Sequence, residues 1–223
     1  MELYEAMRST FSAREFTDEL IPDEVLYRIL DNARFASSGG NRQGWRVLVV
    51  SDPHVRVEFG RMTEPAVRRY VAQVAAGENP WNTIHTSNVD KQALAATQLP
   101  DTLTDIYARA AVVLVVCVDL SVIASTDQYL DRVGVISGAS IYPFVWNILL
   151  AARAEGYGGV LTTFLAAGEP AAKALLKLPD EFAIAAALPL GRALKPLTRL
   201  NRRAVETFAR RETWDGVPFE VDD

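Results

Sequence analysis

The run Ala111-Val112-Val113-Leu114-Val115-Val116-Cys117-Val118-Asp119-Leu120 decides the architecture, because it is apolar at odd and even positions alike. A strand with one solvated face alternates apolar with polar side chains; a valine-rich run without alternation reads as a strand buried on both faces. Such a strand needs helices packed on either side of it. Asp23–Ala36 supplies a good one, with Val25, Leu26, Ile29, Leu30 and Ala33 on one face and Pro22 and two acids at its start. Leu3–Ser9 reads as a shorter helix, and Val55 to about Ala76 as a longer one broken near Thr63–Pro65. Asp131–Glu155 reads as a long buried helix closed by Gly156, and Glu169–Lys177 as a further helix. Val47–Val50, Gly158–Thr163 and Phe182–Leu190 are the remaining strands. Interleaved helices and few strands predict an α+β fold, a mixed central β-sheet flanked by helices rather than a regular βαβ alternation.

Composition bounds the function. The 223 residues suit one domain, residues 1–223, with 49% hydrophobic and 23% charged residues, the usual soluble range. A net charge of −5 argues against a general nucleic-acid or anionic-membrane binder. The single cysteine, Cys117, excludes an internal disulfide framework and reads as a buried strand residue in a reducing compartment. With only His54 and His85 there is no zinc-ligand cluster and no serine-triad motif, and each histidine reads as a solvated loop residue. No Gly-x-Gly-x-x-Gly follows a strand. So sparse a set of acids and nucleophiles leaves the chemistry of an enzyme to a cofactor. The N-terminus carries acids and no apolar signal core, and Val133–Ala152 is interrupted by Gly134, Ser137, Gly138, Ser140, Pro143 and Asn147. The expectation is therefore a cytoplasmic protein without a membrane span.

Three segments read as pieces of one site. In Thr10–Phe16, Ser12 and Arg14 project to the same side of an extended chain, and a hydroxyl beside a guanidinium suits a phosphate or an electron-rich carbonyl edge. The bland alternative is a surface serine and arginine. In Ser37–Gln43, two serines and two glycines let the backbone approach a ligand, and Asn41 and Gln43 add amides; a flexible loop after a helix is the alternative. Trp45 reads as a core anchor. Between Arg192 and Arg211 the tail carries Arg192, Lys195, Arg199, Arg202, Arg203, Arg210 and Arg211 against Glu206 alone, either a phosphate clamp or a solvated basic face. The polar stretch Gly77–Asp105 reads as a flap over a pocket or as a plain surface excursion.

At these segments the chain resembles the nitroreductase family of FMN-dependent oxidoreductases. The family pattern Ala-Pro-Ser-Gly-x-Asn-x-Gln-Pro-Trp is matched by Ala36, Ser38, Gly39, Asn41, Gln43 and Trp45, with Ser37 and Gly44 in place of its two prolines. The opening Arg-Arg-Ser-x-Arg-x-Phe is matched at Ser12, Arg14 and Phe16, while Thr10 and Phe11 replace its leading basic residues and Arg8 precedes them. Asn147–Ala152 with Glu155–Gly158, and Leu190-Gly191 with Arg202–Glu206, resemble the later family segments. Residues from about 60 to 105 match nothing in the pattern, an inserted flap, and about 192–223 form an extended C-terminal tail.

The resemblance implies an intertwined homodimer with two FMN sites at the subunit interface. It implies that Ser12 and Arg14 lie near the flavin pyrimidine edge and ribityl chain. Ser37, Ser38, Gly39, Asn41 and Gln43 would line the site, partly from the partner. Leu161, Thr162, Thr163 and Phe164 would run along the isoalloxazine, with a backbone N–H near N5, and Arg199 or Arg202 would hold the phosphate. NADH or NADPH would be the electron donor, and a nitroaromatic, quinone or similar electrophile the small-molecule acceptor, in a ping-pong order. FMN N5, not a protein acid or base, would carry the chemistry. Other reactions on the same fold are the alternatives: reductive dehalogenation, flavin fragmentation, dehydrogenation, or flavin binding without catalysis.

Overall fold

The fold is a four-stranded sheet between two helical layers, seen in a computed structural model that describes residues 1–197 and 199–221. Its strands are β1 (Trp45–Val50), β2 (Val112–Asp119), β3 (Gly158–Gly159) and β4 (Phe182–Gly191), in the order β1-β2-β4-β3. All three ladders are antiparallel, and a parallel bridge from Ser12 to Gly159 adds the N-terminal segment and makes the sheet mixed. Val112 to Val118 are buried without exception. Their alternation divides two cores: Val112, Leu114, Val116 and Val118 belong to one apolar cluster, Val113, Val115 and Cys117 to the other. The first is closed by α2 (Asp23–Ala33) and α7 (Tyr142–Ala154). The second is closed by α3 (Pro53–Ala75), α6 (Ile106–Arg109), α8 (Phe164–Ala167) and α9 (Glu169–Leu176). Each fully buried valine contributes about 1.5–3 kcal/mol of transfer free energy, so the non-alternating run is what binds both layers. Trp45 is the anchor its sequence context suggested: it stacks on Phe144 of α7 with centroids 4.7 Å apart and planes 2° from parallel.

Two helices differ from their expected form. The break near Thr63–Pro65 does not occur, and α3 runs unbroken through Pro65. Arg56, Phe59, Thr63, Ala66 and Val67 form its buried stripe, whereas Pro65 and the residue four before it, Arg61, are exposed, so water can satisfy the carbonyl the proline leaves unbonded. The long helix expected over Asp131–Glu155 is confined to α7, preceded by a 3-10 turn at Ile136–Ser140. Gly134 and Gly138 weaken the helix in that stretch, Pro143 suits its first turn, and Asp127 binds the preceding backbone in a competing conformation. The strand expected over Gly158–Thr163 is two residues long with a further bridge from Thr162 to Ala187, and the helix expected to reach Ala36 ends at Ala33. α1 (Leu3–Ser9) has the expected bounds. The 77–105 flap contains α4 (Lys91–Ala96) and α5 (Asp101–Thr104).

The tail leaves the core after β4. It is irregular apart from a 3-10 turn at Val205–Thr207 and a bridge from Arg210 to Pro218. Thr198, Asp222 and Asp223 of the expected tail lie outside the described residues. Large apolar side chains stay exposed on α1 (Leu3, Tyr4), before α7 (Tyr129, Val133) and on the tail (Phe208, Trp214). No helix is long and apolar enough to cross a membrane among the described residues.

Phe144→Ala removes a 2%-exposed ring, and with it the stack on Trp45, from the first core. Denaturant unfolding at fixed protein concentration is expected to show a loss of about 3–5 kcal/mol. A loss below about 1 kcal/mol would mean that the stack is not part of a packed core.

Candidate functional site

A cavity of 540 Å³ opens at the β3 edge of the sheet. Its floor is Val160–Thr163, the chain leaving β3; Phe164 of α8 and Tyr70 of α3 form one side, and Pro80, Trp81 and Leu103 of the flap the other. Arg14 sits at its margin. The floor is rigid because Thr162 exchanges two hydrogen bonds with Ala187 of β4, N–H donating at 3.1 Å and C=O accepting at 2.9 Å. Backbone groups alternate in direction along an extended chain, so the N–H groups of Leu161 and Thr163 turn away from β4. Among the described residues neither has an acceptor. Below the floor Tyr107 is fully buried with its hydroxyl 3.5 Å from Thr162 Oγ1. Burial pushes the Tyr107 phenol up to about 12, so it stays neutral beneath the cavity.

The flap wall is equally fixed. Trp81 adopts a left-handed backbone with φ +56°, a strained state for an aromatic residue that neighbouring bonds must hold. Its N–H donates to Gln73 Oε1 at 3.1 Å, and Arg69 lies over its ring at 4.3 Å from the centroid. Gln73 is buried and donates in turn to Glu78 Oε2 at 3.2 Å. The Ser87 hydroxyl donates to Glu78 at 2.6 Å and the Asn88 N–H at 2.7 Å, which together hold that carboxyl below its usual range.

Ser12 and Arg14 face outward on either side of Ala13, which is buried, as the alternation of an extended segment requires. The parallel bridge to Gly159 brings them beside the cavity floor. The Arg14 guanidinium reaches only the Ser12 carbonyl, at 3.4 Å, and no acid lies within ion-pair distance among the described residues. Thus Arg14, Leu161, Thr162 and Thr163 line one cavity, and Ser12 is bridged to Gly159 beside it without contributing to the lining.

The other expected residues lie elsewhere in a single chain. Ser37, Ser38, Gly39, Asn41 and Gln43 form an exposed turn that contributes nothing to the cavity lining. Gly40, Asn41 and Gln43 have positive φ (60°, 54° and 50°), so this loop is held in one shape rather than slack. The Gln43 N–H donates to Ser38 Oγ, and the Gly39 N–H donates to Ser140 Oγ, both at 3.0 Å. Ser140 ends the turn that follows the Asp127 loop. Arg199 and Arg202 are exposed, with Arg202 donating to the Asn201 carbonyl at 2.7 Å. Arg192 is committed to an ion pair with Glu19, holding that carboxyl below its usual range, and lies over Tyr157. His85 is an exposed loop residue, while His54 is exposed in the first turn of α3; burial pushes the Cys117 thiol up to about 11, ruling out a ready nucleophile. Tyr70, Trp81 and Tyr107 were not anticipated as site residues. Trp81 alone carried a signal, an aromatic side chain in a polar flap.

Comparison with known proteins gives a consistent result. The model described as "Nitroreductase family" matches residues 7–192. The "Iodotyrosine dehalogenase 1 homolog" of Caenorhabditis elegans is 28% identical over 211 residues, 93% of this chain and 60% of that protein, so this chain spans about 60% of that relative's length. The "Iodotyrosine deiodinase" of Haliscomenobacter hydrossis is 36% identical over 63 residues, 28% of each protein. A crystal structure of oxidised iodotyrosine deiodinase bound to FMN and 3-iodo-L-tyrosine has a TM-score of 0.67 at 22% identity, covering 96% of this chain and 100% of that one. A BluB-like flavoprotein from Clostridium difficile 630 reaches 0.71 at 18% identity, covering 94% and 98%. At these identities the two structures establish the fold.

The Asp127 carboxylate props the loop that leads to Ser140 and hence to Gly39. It accepts from the Val135 N–H at 2.7 Å and from Arg132 at 2.8 Å, and these bonds hold it down to about 2, below its ordinary 3.8. A depressed carboxyl stabilises the fold above its unfolded pKa and loses that contribution as pH falls towards the folded value. Protection of the Val135 amide against hydrogen exchange is therefore expected at pH 5–7 and lost on acidification from about pH 4 to about pH 2. Asp127→Asn should lower it about five- to tenfold at neutral pH. Equal protection in both proteins would remove Asp127 from this role.

Proposed function

We propose that this chain, which belongs to the nitroreductase family, is an FMN-dependent oxidoreductase that acts as a homodimer and reduces a small electrophilic acceptor in the Arg14–Trp81 cavity. The observation that carries the reading is the pairing of an uncompensated Arg14 guanidinium with the free N–H groups of Leu161 and Thr163 on one apolar wall. A flavin ring needs a flat apolar surface, a donor at its N5 edge and positive charge at its N1 and O2 edge, so these residues fit FMN. When bound, FMN supplies a two-electron carrier between NAD(P)H and the acceptor. Arg14 stabilises negative charge at the cavity margin, and the Leu161 or Thr163 N–H orients the ring. The flap and Tyr70 limit access of water to the floor. One cavity serves donor and acceptor, so they occupy it in turn, a ping-pong order.

The dimer reading rests on what a single chain leaves outside the cavity. Ser37–Gln43, Arg199 and Arg202 are exposed, as are Leu3, Tyr4, Phe208 and Trp214. A second copy covering this apolar surface would bring its own loop to the site, with Ser38, Gly39, Asn41 and Gln43 as ligands and a tail arginine on the phosphate. A second reading, reductive dehalogenation with the same groups, is favoured by the relatives described as iodotyrosine deiodinases.

One experiment joins these points. FMN-loaded protein should be bleached by NADH or NADPH without oxygen and regain its colour on addition of a quinone or nitroaromatic. Arg14→Ala is expected to weaken FMN binding about tenfold and to lower the flavin potential by about 30 mV for each 1.4 kcal/mol of lost stabilisation. Flavin that the nicotinamides leave oxidised would contradict them as donors, and an unchanged affinity and potential would contradict the role of Arg14.

A further inference from the structure

Tyr107 lies fully buried beneath the cavity with its phenol oxygen beside two threonine hydroxyls, Thr162 of the floor and Thr63 of α3. Leu161 packs on the first core, so Thr162, the next residue of the extended floor, turns its side chain to the opposite face, where Tyr107 and the cavity both lie. Thr162 is only half-buried, and its hydroxyl therefore links the phenol to the cavity. A hydroxyl has one hydrogen and two lone pairs, so the hydrogens along this row can be counted. Thr63 is fully buried and spends its hydrogen on the Gly60 carbonyl at 2.8 Å, so towards Tyr107 it can only accept. Thr162 Oγ1 accepts the Phe164 N–H at 3.4 Å and lies 3.5 Å from the phenol oxygen. Two arrangements satisfy the row. When Tyr107 donates to Thr162, both Thr162 lone pairs are filled and its hydrogen is left for the cavity. When Tyr107 donates to Thr63, Thr162 donates to the phenol and offers a lone pair to the cavity instead. Burial keeps the phenol protonated throughout, so it always has one hydrogen to place on either neighbour.

Resting on the FMN reading of this cavity, we infer that Tyr107 is a positioning residue: it lets the Thr162 hydroxyl reverse, donating to the oxidised flavin and accepting from the reduced one. Hydride transfer from NAD(P)H places a hydrogen on a flavin ring nitrogen that held a lone pair, leaving the nicotinamide oxidised and negative charge at the flavin N1 and O2 edge. A backbone N–H, such as that of Leu161 or Thr163, can only donate and so matches the first state alone. A hydroxyl backed by a second hydroxyl matches both, because the row reverses without moving a heavy atom. Without the phenol oxygen, a Thr162 hydrogen turned away from the reduced flavin has lost its acceptor, and the reduced state alone is weakened.

The test measures the flavin midpoint potential and the affinity for oxidised FMN in the same loaded protein. Tyr107→Phe keeps the ring that meets Phe59 at 6.1 Å and removes only the hydroxyl. Oxidised FMN is expected to bind within about twofold of the parent protein. Reduced FMN should bind about tenfold more weakly, which lowers the two-electron potential by about 30 mV. In a Thr162→Val background there is no hydroxyl to orient, and Tyr107→Phe should shift the potential no further; in a Thr162→Ser background it should keep its full effect. A merely structural role for the phenol would move the potential equally in all three backgrounds. Tyr107→Phe protein that holds FMN at the parent potential, or that shows the same shift with Thr162→Val present, would overturn the inference and leave the cofactor reading standing. Parent protein that takes up no FMN overturns the cofactor reading and the inference with it.

Discussion

Burial of β2 on both faces is the constraint from which the other features follow. A strand with no polar face has no stable position at a surface, so helices must close over each side, and the chain provides them in two sets. Val113, Val115 and Cys117 require α3, α6 and α8 on one side, and those are the helices whose ends meet at the cavity. The neighbouring β4 supplies Ala187, the partner that holds Thr162 and so turns the adjacent N–H groups outward. The position of the donors is thus a consequence of how the sheet is buried.

The cavity has one rigid wall and one braced wall. The floor is tied to the sheet, while the flap is tied to α3 by Gln73, Glu78 and the ring of Trp81 under Arg69. A left-handed tryptophan is costly unless its surroundings over-determine it, and here a buried amide and a cation do so. The Ser37–Gln43 turn is also constrained, through Ser38 and Ser140, although it stands apart from the floor in one chain. Two preformed halves that do not meet within a chain suit a site closed by association rather than by folding.

The central strand, α1, α2 and the last strand were legible because each depends on a local pattern: an unbroken apolar run, a 3.6-residue stripe or a cap. That Arg14 and Leu161–Thr163 share a cavity agrees with the grouping the family resemblance implied, and the outward turn of Ser12 and Arg14 was legible from the two-residue repeat of an extended chain. The failures have tertiary causes. Pro65 looks like a helix break, yet the buried stripe of α3 overrides it. The Asp131–Ser140 stretch looks like a continuation of α7 until Asp127 gathers its backbone donors, a contact that spacing does not announce. Arg192 stands among clamp candidates in sequence and belongs to Glu19 in space. Tyr70 reaches the cavity from α3, and Tyr107 lies beneath it on α6, a short helix that no sequence pattern marked.

The flavin site proposed for this chain is one that two copies complete. Native mass spectrometry of protein reconstituted with excess FMN measures this directly, since the chain mass of 24.5 kDa separates the assembly states. Two chains holding two flavins, with no flavin retained by the monomer, is the predicted result. A monomer that holds FMN, or a dimer that holds none, would contradict it.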